Sequence, residues 1–248
     1  ELMLYIVATP IGNLEDITLR AVRILKEADY IFAEDTRVTK KLLNHLEITN
    51  TLYRYDEHTK QHQVENIVNL LKEGKNVALV TDAGTPCISD PGYEVVDAAL
   101  NEGIKVVPIP GVSAMTAAAS VAGVSMRRFI FEGFLPKKKG RQTLLKSFAD
   151  EKRTIMFFES PHRVVKTLKD IEEFMGVKNI VLVREITKIY EEIIRGTTTE
   201  LIEKFEKQTL KGEFVIIVRG NEQEEKKEKV NKYAKDDYEE EDDYEDEE

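Results

Sequence analysis

Short apolar runs alternate with segments of helical periodicity along residues 4–131. The runs rich in β-branched and aliphatic residues predict strands at Leu4–Ala8, Tyr30–Ala33, Val77–Thr81, Ile104–Pro108 and Phe129–Phe131. Two apolar stripes between them predict helix faces: Leu19, Val22 and Leu25, and then Val64, Ile67, Val68 and Leu71. Such alternation is typical of right-handed crossovers on a mostly parallel sheet, so we expect an α/β unit with both stripes in its core.

The second half of the chain shows the same two periodicities in a different order. Strands are predicted at Thr154–Phe158, Ile180–Val183, Ile189–Arg195 and Glu213–Arg219. A helix face is predicted from Val164, Leu168, Ile171 and Met175, and a polar helix precedes the last strand. The order resembles hairpins more than crossovers, which predicts a smaller α/β unit with a mixed sheet.

The segment Gly133–Arg141 interrupts both patterns with glycine, proline and a cluster of basic residues. Its composition predicts a linker between two domains. The predicted division is therefore 3–132 for the N-terminal domain, 133–141 for a basic linker and 142–220 for the C-terminal domain.

Charge is distributed unevenly along the chain. The formal net charge is −10, and residues 221–248 carry 15 acidic and 5 basic residues, which leaves 31 of each in residues 1–220. Because this acidic tail has too few apolar residues to offset the entropy of ordering it, we predict that it is disordered. It either solvates the protein or competes with RNA for the protein's own basic surface, and the sequence leaves both interpretations open.

Composition limits the class of protein. A chain of 248 residues with 42% hydrophobic content is long enough for one large or two smaller cores. Its single cysteine, Cys87, cannot form an internal disulfide, and with the four histidines it shows no zinc-ligand spacing, so we predict no metal site. No apolar run approaches the roughly 20 residues of a membrane span, and the first residues lack a signal-peptide pattern. These features predict a cytoplasmic protein without a membrane partner.

Ligands of open α/β sheets bind beyond the carboxyl ends of the strands, so the loops there are the candidate sites. The first, Thr9–Leu14, contains one glycine, and neither G-x-G-x-x-G nor G-x-x-x-x-G-K-[ST] occurs in the chain. The sequence therefore weighs against an ordinary dinucleotide site and against a P-loop NTPase.

Later loops carry more candidate chemistry. Glu34–Arg37 either caps a helix or orients and deprotonates a hydroxyl group. Asp82–Gly92 contains two prolines, two glycines and two aspartates, a constrained composition that favours ligand binding. Pro108–Ser113 leads into a helix of small residues and either packs tightly or holds a polar group at the helix N-terminus. In Glu159–Arg163, which follows a predicted strand, His162 is either incidental or catalytic.

Four blocks in this order resemble the tetrapyrrole-methylase superfamily: Val7–Leu14, Glu34–Arg37, Asp82–Gly92 and Pro110–Ala114. Two further blocks, Gly133–Pro136 with the basic run after it and Phe158–Arg163, resemble the ribosomal RNA branch of that superfamily. The resemblance extends over about residues 4–220. No single block is specific, but their number and order make a chance match improbable.

The resemblance implies a two-domain α/β fold with S-adenosylmethionine in the interdomain cleft, usually as a homodimer. It implies methylation of a cytidine ribose 2′-oxygen in the decoding region of small-subunit (16S) ribosomal RNA. The donor contacts that it implies are Pro10, Ile11, Gly84, Thr85, Pro86, Ile88, Ser113, Ala114, Phe158, and the backbone near Glu213 and Phe214. Relatives that act on corrinoids or diphthine tend to have Gly-Asp-Pro where this chain has Gly84-Thr85-Pro86, which favours the RNA branch.

Methylation of a hydroxyl group requires a proton acceptor, and RNA requires cations. We rank Asp35 first as the acceptor, with Glu34, His162 and water as alternatives. Candidate contacts to the RNA small-subunit partner are the basic residues Arg37, Arg128, Lys137, Lys138, Lys139, Arg141, Arg163 and Arg184. A solvated linker is the alternative interpretation of the basic segment.

Two other functions remain open at this stage. An enzyme of the same fold could methylate a corrinoid or a protein side chain, although a basic segment has no evident use for a small macrocycle. Alternatively, the chain is a regulatory module that binds the donor and recruits partners through its acidic tail.

Overall fold

The computed structural model describes residues 3–221, which form two compact units. Unit 1 comprises the chain up to Ala119 together with Glu185–Glu192, and unit 2 comprises Ser120–Arg184 and the chain from Ile193. The acidic tail, which the sequence predicts to be disordered, lies outside the described residues apart from Asn221.

Unit 1 contains a five-stranded sheet in which every pairing is parallel, in the order β3-β2-β4-β1-β5. Its strands are β1 (Met3–Val7), β2 (Tyr30–Ala33), β3 (Leu52–Arg54), β4 (Val77–Leu79) and β5 (Lys105–Ile109). Its helices are α1 (Leu19–Glu27), α2 (Thr36–His45), α3 (Lys60–Lys72), α4 (Tyr93–Asn101) and α5 (Ala114–Val121). The predicted mostly parallel sheet is confirmed.

Both faces of this sheet are buried, as crossover helices require. One face packs Val7 against Leu25 of α1 and Leu43 of α2, and the other packs Leu4 against Leu71 of α3. The stripe predicted on α3 is therefore confirmed. The stripe predicted on α1 is partly wrong, as described next.

Leu19 was predicted as a core position but is 91% exposed. Thr18 caps α1 by accepting a hydrogen bond from the amide of Ala21, so Leu19 is the first helical residue. This phase turns Ala21, Ile24 and Leu25 inward instead. The apolar pattern alone did not identify the buried face, because that face depends on the residue at which the N-cap starts the helix.

Unit 2 contains a mixed five-stranded sheet in the order β6-β7-β10-β8-β9. Its strands are β6 (Phe129–Phe134), β7 (Thr154–Glu159), β8 (Asn179–Arg184), β9 (Glu192–Thr197) and β10 (Phe214–Val218), and its helices are α6 (Arg141–Ser147), α7 (Val164–Met175) and α8 (Thr198–Phe205). Strand β10 runs antiparallel to both β7 and β8, whereas β6 runs parallel to β7. The predicted apolar face of α7 is confirmed, since Val164, Leu168 and Ile171 are fully buried.

Three boundaries differ from those predicted. Residues 129–134 form β6 of the second sheet rather than a strand of the first, so the change of unit comes at Ala119/Ser120 and not at 132/133. Within the predicted linker, residues 133–134 belong to β6 and Arg141 begins α6. The strand predicted at Ile189–Arg195 is β9, which begins at Glu192 and not at Ile189. The sequence did not predict strand β3, because its three residues include no apolar run and only Leu52 is half-buried.

Among residues 3–221, no helix combines the length and the apolar character needed to cross a bilayer.

Candidate functional site

Three loops meet at the carboxyl ends of β1, β4 and β5. The backbones of Thr9 and Gly84 exchange two hydrogen bonds, 3.0 and 2.9 Å long, which join the loop after β1 to the loop after β4. The hydroxyl of Thr85 donates to the carbonyl oxygen of Val112 at 3.2 Å, which ties the same loop to the one after β5. Gly111 allows the loop after β5 to lie close to the end of β1, because a Cβ atom on Gly111 would lie 2.8 Å from Cβ of Ala8.

The loop after β4 is held in an unusual backbone conformation. Cys87 and Ser89 have positive φ angles of 72° and 57°, and Gly84 and Gly92 have φ angles of 83° and 140°. Left-handed non-glycine residues cost roughly 1–3 kcal/mol each and persist only where the surroundings impose them, often at ligand sites. The constrained composition of this loop therefore corresponds to a constrained backbone.

Asp35 is the N-cap of α2 and binds Arg37. Its Oδ1 accepts hydrogen bonds from the Arg37 backbone amide (2.9 Å) and from Arg37 Nε (3.0 Å), and its Oδ2 accepts one from Nη2 (2.7 Å). The hydrogen bonds from the Arg37 side chain and backbone lower the pKa of Asp35 to about 2. A carboxylate held in this way accepts a proton poorly near neutral pH, so the local chemistry does not favour the first-ranked candidate base.

A group of carboxylates lies beside it. Burial raises the pKa of Glu34, and the negative charges of Asp82 and Asp90 raise it further. Burial also raises the pKa of Asp90 to about 6, with Asp82 adding to the effect and a hydrogen bond from Thr81 opposing it. Among the described residues none of these three carboxylates forms an ion pair, and no set of three or more His, Cys, Asp or Glu is arranged to hold a metal ion.

An open pocket of about 330 Å³ lies within unit 1, between the loop after β1 and helix α2. We call it the β1–α2 pocket, and it is lined by Thr9, Pro10, Gly12, Asn13, Leu14, Val38, Thr39, Lys41, Leu42, Thr81 and Asp82. The three threonines are buried, while Leu14 and Val38 are 44% and 40% exposed. The pocket thus has an inner wall that carries hydroxyl groups and an apolar rim.

The residues implied as donor contacts fall into two local groups. Those in unit 1 belong to the three joined loops, where Cγ2 of Ile11 lies 3.4 Å from the position of a Cβ atom on Gly84. Those in unit 2 share one end of its sheet, since Phe158 of β7 pairs with Val215 of β10, next to Phe214. The Phe214 side chain is buried, which is compatible with the backbone contact implied for it. His162 is exposed in a 3-10 turn of unit 2, whereas Glu34 and Asp35 belong to unit 1.

The candidate RNA contacts differ in accessibility. The side chains of Arg37, Arg128, Lys137, Lys138 and Lys139 are exposed.

Arg163 and Arg184 donate to backbone carbonyls, the first to Lys137 (3.5 Å) and the second to Lys211 (2.8 Å). Arg184 also lies over the ring of Phe214, with its guanidinium carbon 5.8 Å from the ring centroid.

Arg141 does not fit the predicted role of an RNA contact. It is only 5% exposed, and its guanidinium donates to Asp170 Oδ2 (2.7 Å), Thr167 Oγ1 (2.7 Å) and the carbonyl oxygen of Pro136 (3.1 Å). Thr167 in turn donates to Glu159 Oε2 at 2.7 Å. Arg141 therefore anchors the basic segment within unit 2 and is not available to a phosphate group.

Several residues of interest escaped the sequence analysis. Asp82 and Asp90 were part of a candidate loop but were given no role of their own, although both belong to the group of carboxylates around Glu34. Val38 and Lys41 of the pocket carried no signal, because the face that α2 turns toward the loop after β1 depends on tertiary packing. Lys188 covers Gly12, where a Cβ atom would lie 2.6 Å from the lysine side chain, and that proximity has no local sequence signal.

Comparison with known proteins places this geometry in a family. The sequence profile of the tetrapyrrole (corrin/porphyrin) methylases matches residues 3–202. Ribosomal RNA small subunit methyltransferase I of Halalkalibacterium halodurans is 50% identical over 92% of this chain and 79% of its own length. The protein of that name from Thermotoga maritima is 50% identical over 88% of this chain and 99% of its own length, and the one from Escherichia coli O157:H7 is 47% identical over 90% and 79%.

A solved structure supports the fold independently. The X-ray structure of cobalt precorrin-4 methyltransferase, a cobalamin biosynthetic enzyme, superposes with a TM-score of 0.65 over 88% of this chain and 95% of that one, at 22% sequence identity. At that identity the likeness shows the fold alone. With the family profile and the sequence relatives taken together, the chain belongs to the tetrapyrrole methylase family, in its ribosomal RNA small subunit methyltransferase I group, and is a methyltransferase.

Proposed function

We propose that this protein transfers a methyl group from S-adenosylmethionine to the 2′-oxygen of a cytidine ribose in the decoding region of small-subunit ribosomal RNA. The observation that carries the proposal is the identity of about 50% to two proteins named ribosomal RNA small subunit methyltransferase I, over nearly the whole folded part of the chain. The 2′-oxygen, the nucleotide and the donor are parts of the proposal.

The three joined loops of unit 1 fit a donor with apolar and polar parts. Ile88 exposes 46% of its surface there, and Gly84, at a φ of 83°, has no atom closer than 3.4 Å to the position of a Cβ atom. Backbone amide and carbonyl groups near Gly84 can approach a ligand closely. We propose that Pro10, Ile11, Gly84–Pro86, Ile88, Ser113 and Ala114 bind the donor in unit 1, and that Phe158 and the backbone of Glu213–Phe214 bind it in unit 2.

When bound, S-adenosylmethionine supplies a methyl group on a positively charged sulfur, so that the ribose oxygen forms the new O–C bond as the C–S bond breaks. The protein must orient the hydroxyl group and accept its proton. We propose Glu34 for the second role in place of Asp35, because the pKa of Glu34 is raised and that of Asp35 is lowered to about 2. His162 is the second candidate.

Arg141 and Arg163 support the proposed RNA contacts indirectly. They donate to the carbonyl oxygens of Pro136 and Lys137, which holds the backbone of the basic segment while the lysine side chains remain exposed. Exposed lysines on a fixed backbone suit phosphate groups, whose contacts position RNA without reading its sequence. We therefore propose Lys137–Lys139, with Arg37 and Arg128, as contacts to the RNA backbone.

The decisive test uses the full chain, labelled S-adenosylmethionine and small ribosomal subunits that lack the modification. We expect label on one cytidine ribose of the small-subunit RNA, located by mass mapping of nuclease fragments. Label on a base would contradict the 2′-oxygen as the acceptor, and label on a corrinoid or a protein side chain, with none on RNA, would contradict RNA as the substrate.

A second test addresses the basic segment. The triple variant K137E/K138E/K139E should bind small-subunit RNA more weakly and with a shallower salt dependence, because each lost phosphate contact removes about 0.7–0.9 from the slope of log K against log salt. The control K26E/K75E/K207E carries the same charge change at three exposed lysines. Equal loss of binding in both variants would show that net charge, not this segment, holds the RNA.

Two further expectations complete the proposal. We propose a homodimer, as the family resemblance implies, which sedimentation of the purified chain at several concentrations would test. Because ribosomal RNA is the proposed substrate, we propose that the protein acts in the cytoplasm, which fractionation with ribosomal subunits would test.

A further inference from the structure

The β1–α2 pocket and the proposed donor loops share the carboxyl ends of β1 and β4 and extend from there toward opposite edges of the sheet. In the strand order β3-β2-β4-β1-β5, the donor loops follow β4, β1 and β5, whereas the pocket is formed by residues after β1 and β4 and by the helix that follows β2. Of the proposed donor contacts in unit 1, Pro10 alone lines the pocket. The Thr9–Gly84 backbone pair belongs to both regions. The pocket is therefore a second site next to the donor loops, which is where an acceptor must lie for direct transfer.

The size and the rim of the pocket suit one flat ring. Its volume of about 330 Å³ falls at the lower end of the roughly 300–1,000 Å³ range of small-ligand sites. Leu14 and Val38 expose apolar surface at the rim, and enzymes that modify one nucleotide hold its extruded base between aromatic or apolar side chains. Lys41, exposed at the same rim, places a cation near where the backbone of that nucleotide must pass.

Asp82 places a fixed carboxylate in the lining of this pocket. Its Oδ1 accepts a hydrogen bond from the backbone amide of Asp35 at 2.9 Å, which fixes the carboxylate at the end of β4. Among residues 3–221 no hydrogen bond or ion pair engages its second oxygen, Oδ2. An ionised carboxylate only accepts hydrogen bonds, and the exocyclic amino group of cytosine is the donor that it selects over the carbonyl oxygen of uracil.

We propose that the β1–α2 pocket binds the base of the target nucleotide and that Asp82 selects cytosine by accepting a hydrogen bond from its amino group. The inference rests on the proposed function and extends it to the residues that read the base. Leu14 and Val38 contact the faces of the ring, and the buried threonines close the inner wall.

The first experiment fills the pocket. Val38→Trp in the full chain should lower kcat/KM for methylation of small subunits at least tenfold and leave the affinity for S-adenosylmethionine, measured by calorimetry, unchanged. The control Lys40→Trp adds the same bulk to an exposed position about 200° around the same helix and should match the wild type. Loss of donor binding in Val38→Trp would assign the pocket to the donor, and full activity would leave the pocket without a role; either result overturns the proposal.

The second experiment changes the Asp82 carboxylate, and its result does not depend on whether Val38→Trp folds. Asp82→Asn keeps an oxygen that accepts from the Asp35 amide. It also adds an NH2 group that can donate to the carbonyl oxygen of uracil. With subunits carrying cytidine or uridine at the target position, the ratio of kcat/KM for cytidine over uridine should fall roughly ten- to a hundredfold. An equal loss on both substrates, with the ratio unchanged, would overturn the proposal by giving Asp82 a role in the transfer instead of in base selection.

Failure of the proposed function gives a different result. If the wild-type chain methylates neither substrate, the RNA function is wrong and the base pocket is overturned with it. If the wild type methylates cytidine subunits and both variants behave like the wild type, only the pocket is wrong.

Discussion

Two clusters of charged residues, one in each unit, are satisfied in opposite ways. In unit 2, Arg141 is surrounded by Asp170, Thr167 and the carbonyl oxygen of Pro136, and Thr167 continues the chain of hydrogen bonds to Glu159. In unit 1, the charges of Asp82 and Asp90 help to raise the pKa of Glu34, Asp82 helps to raise that of Asp90, and among the described residues none of the three pairs with a cation. The cluster around Arg141 is neutralised internally, and the cluster around Glu34 keeps like charges together.

This difference separates a structural network from a site. A buried ion pair with its hydrogen bonds satisfied holds its neighbours in one arrangement, here the backbone of the basic segment. Clustered carboxylates and left-handed residues such as Cys87 and Ser89 cost stability, and proteins retain such features mainly where a ligand uses them. Substitutions in the Arg141 network should therefore lower the free energy of unfolding, and some substitutions in the carboxylate cluster should raise it.

The largest effect is expected at Arg141. Arg141→Met removes the cation and leaves Asp170 buried without its main partner, so the free energy of unfolding should fall by about 3–5 kcal/mol, measured by urea denaturation. The control Lys166→Met removes the exposed partner of Asp170 and should change it by less than about 0.5 kcal/mol. Equal effects of the two substitutions would contradict a larger stabilising role for the buried Arg141–Asp170 pair than for the exposed Lys166–Asp170 pair.

Gly92 should show the next largest effect. Gly92→Ala places a Cβ atom 2.7 Å from Sγ of Cys87 at a φ of 140°, so we expect a loss of about 2 kcal/mol and weaker binding of S-adenosylmethionine. Gly103→Ala is the matched control, since its φ is 69° but no atom lies within 4 Å of the added Cβ, and about 1 kcal/mol is expected there. Calorimetric titration and urea denaturation measure the two quantities, and unchanged donor affinity in Gly92→Ala would separate this loop from the donor site.

Asp90 should give a smaller effect that depends on pH. Its pKa is raised from 3.8 to about 6 by burial and by Asp82, so between these values the unfolded chain has lost the proton and the folded chain keeps it. Stability therefore falls as the pH rises from about 4 to 6, and the full cost is present above that range. Asp90→Asn should raise the free energy of unfolding by about 1 kcal/mol at pH 7.5, after screening of a half-exposed group, and leave it nearly unchanged at pH 4. Equal effects at both pH values would contradict the raised pKa.

The smallest effect on stability is expected at Arg37. Arg37→Ala removes the guanidinium that lowers the pKa of Asp35, so that pKa should rise from about 2 toward its ordinary value. The side-chain carboxyl resonance of Asp35, followed by NMR through an acid titration, measures this change. The midpoint of urea unfolding should barely move because Arg37 is exposed, and an unshifted resonance would show that the helix N-terminus alone sets the pKa.

Local patterns were sufficient for most of the regular elements of both units. The apolar stripes on α3 and α7 predicted their buried faces because period and burial agree over several turns. The assignment of β6 failed because a short aromatic strand does not indicate its partner, which here is β7, twenty-five residues further along the chain. The prediction that Leu19 is buried was wrong because the N-cap at Thr18 sets which residues of α1 face the core.

Side-chain roles were harder to predict than elements. Arg141 has the same type of charge as its lysine neighbours in the sequence, but Asp170 and Thr167, nearly thirty residues away, bury it. Asp35 and Arg37 were both identified, yet only their geometry showed that each satisfies the other. The β1–α2 pocket depends on the packing of α2 beside the loop after β1, which no local pattern specifies.

The chain changes unit three times, after Ala119, after Arg184 and after Glu192. A fragment that ends at Ala119 consequently lacks an eight-residue piece of its own body, including the lysine that lies over Gly12. Neither half can be excised as one continuous stretch, so dissection of this enzyme by truncation would yield incomplete pieces, and separate expression of the halves should require a graft of residues 185–192 onto the first.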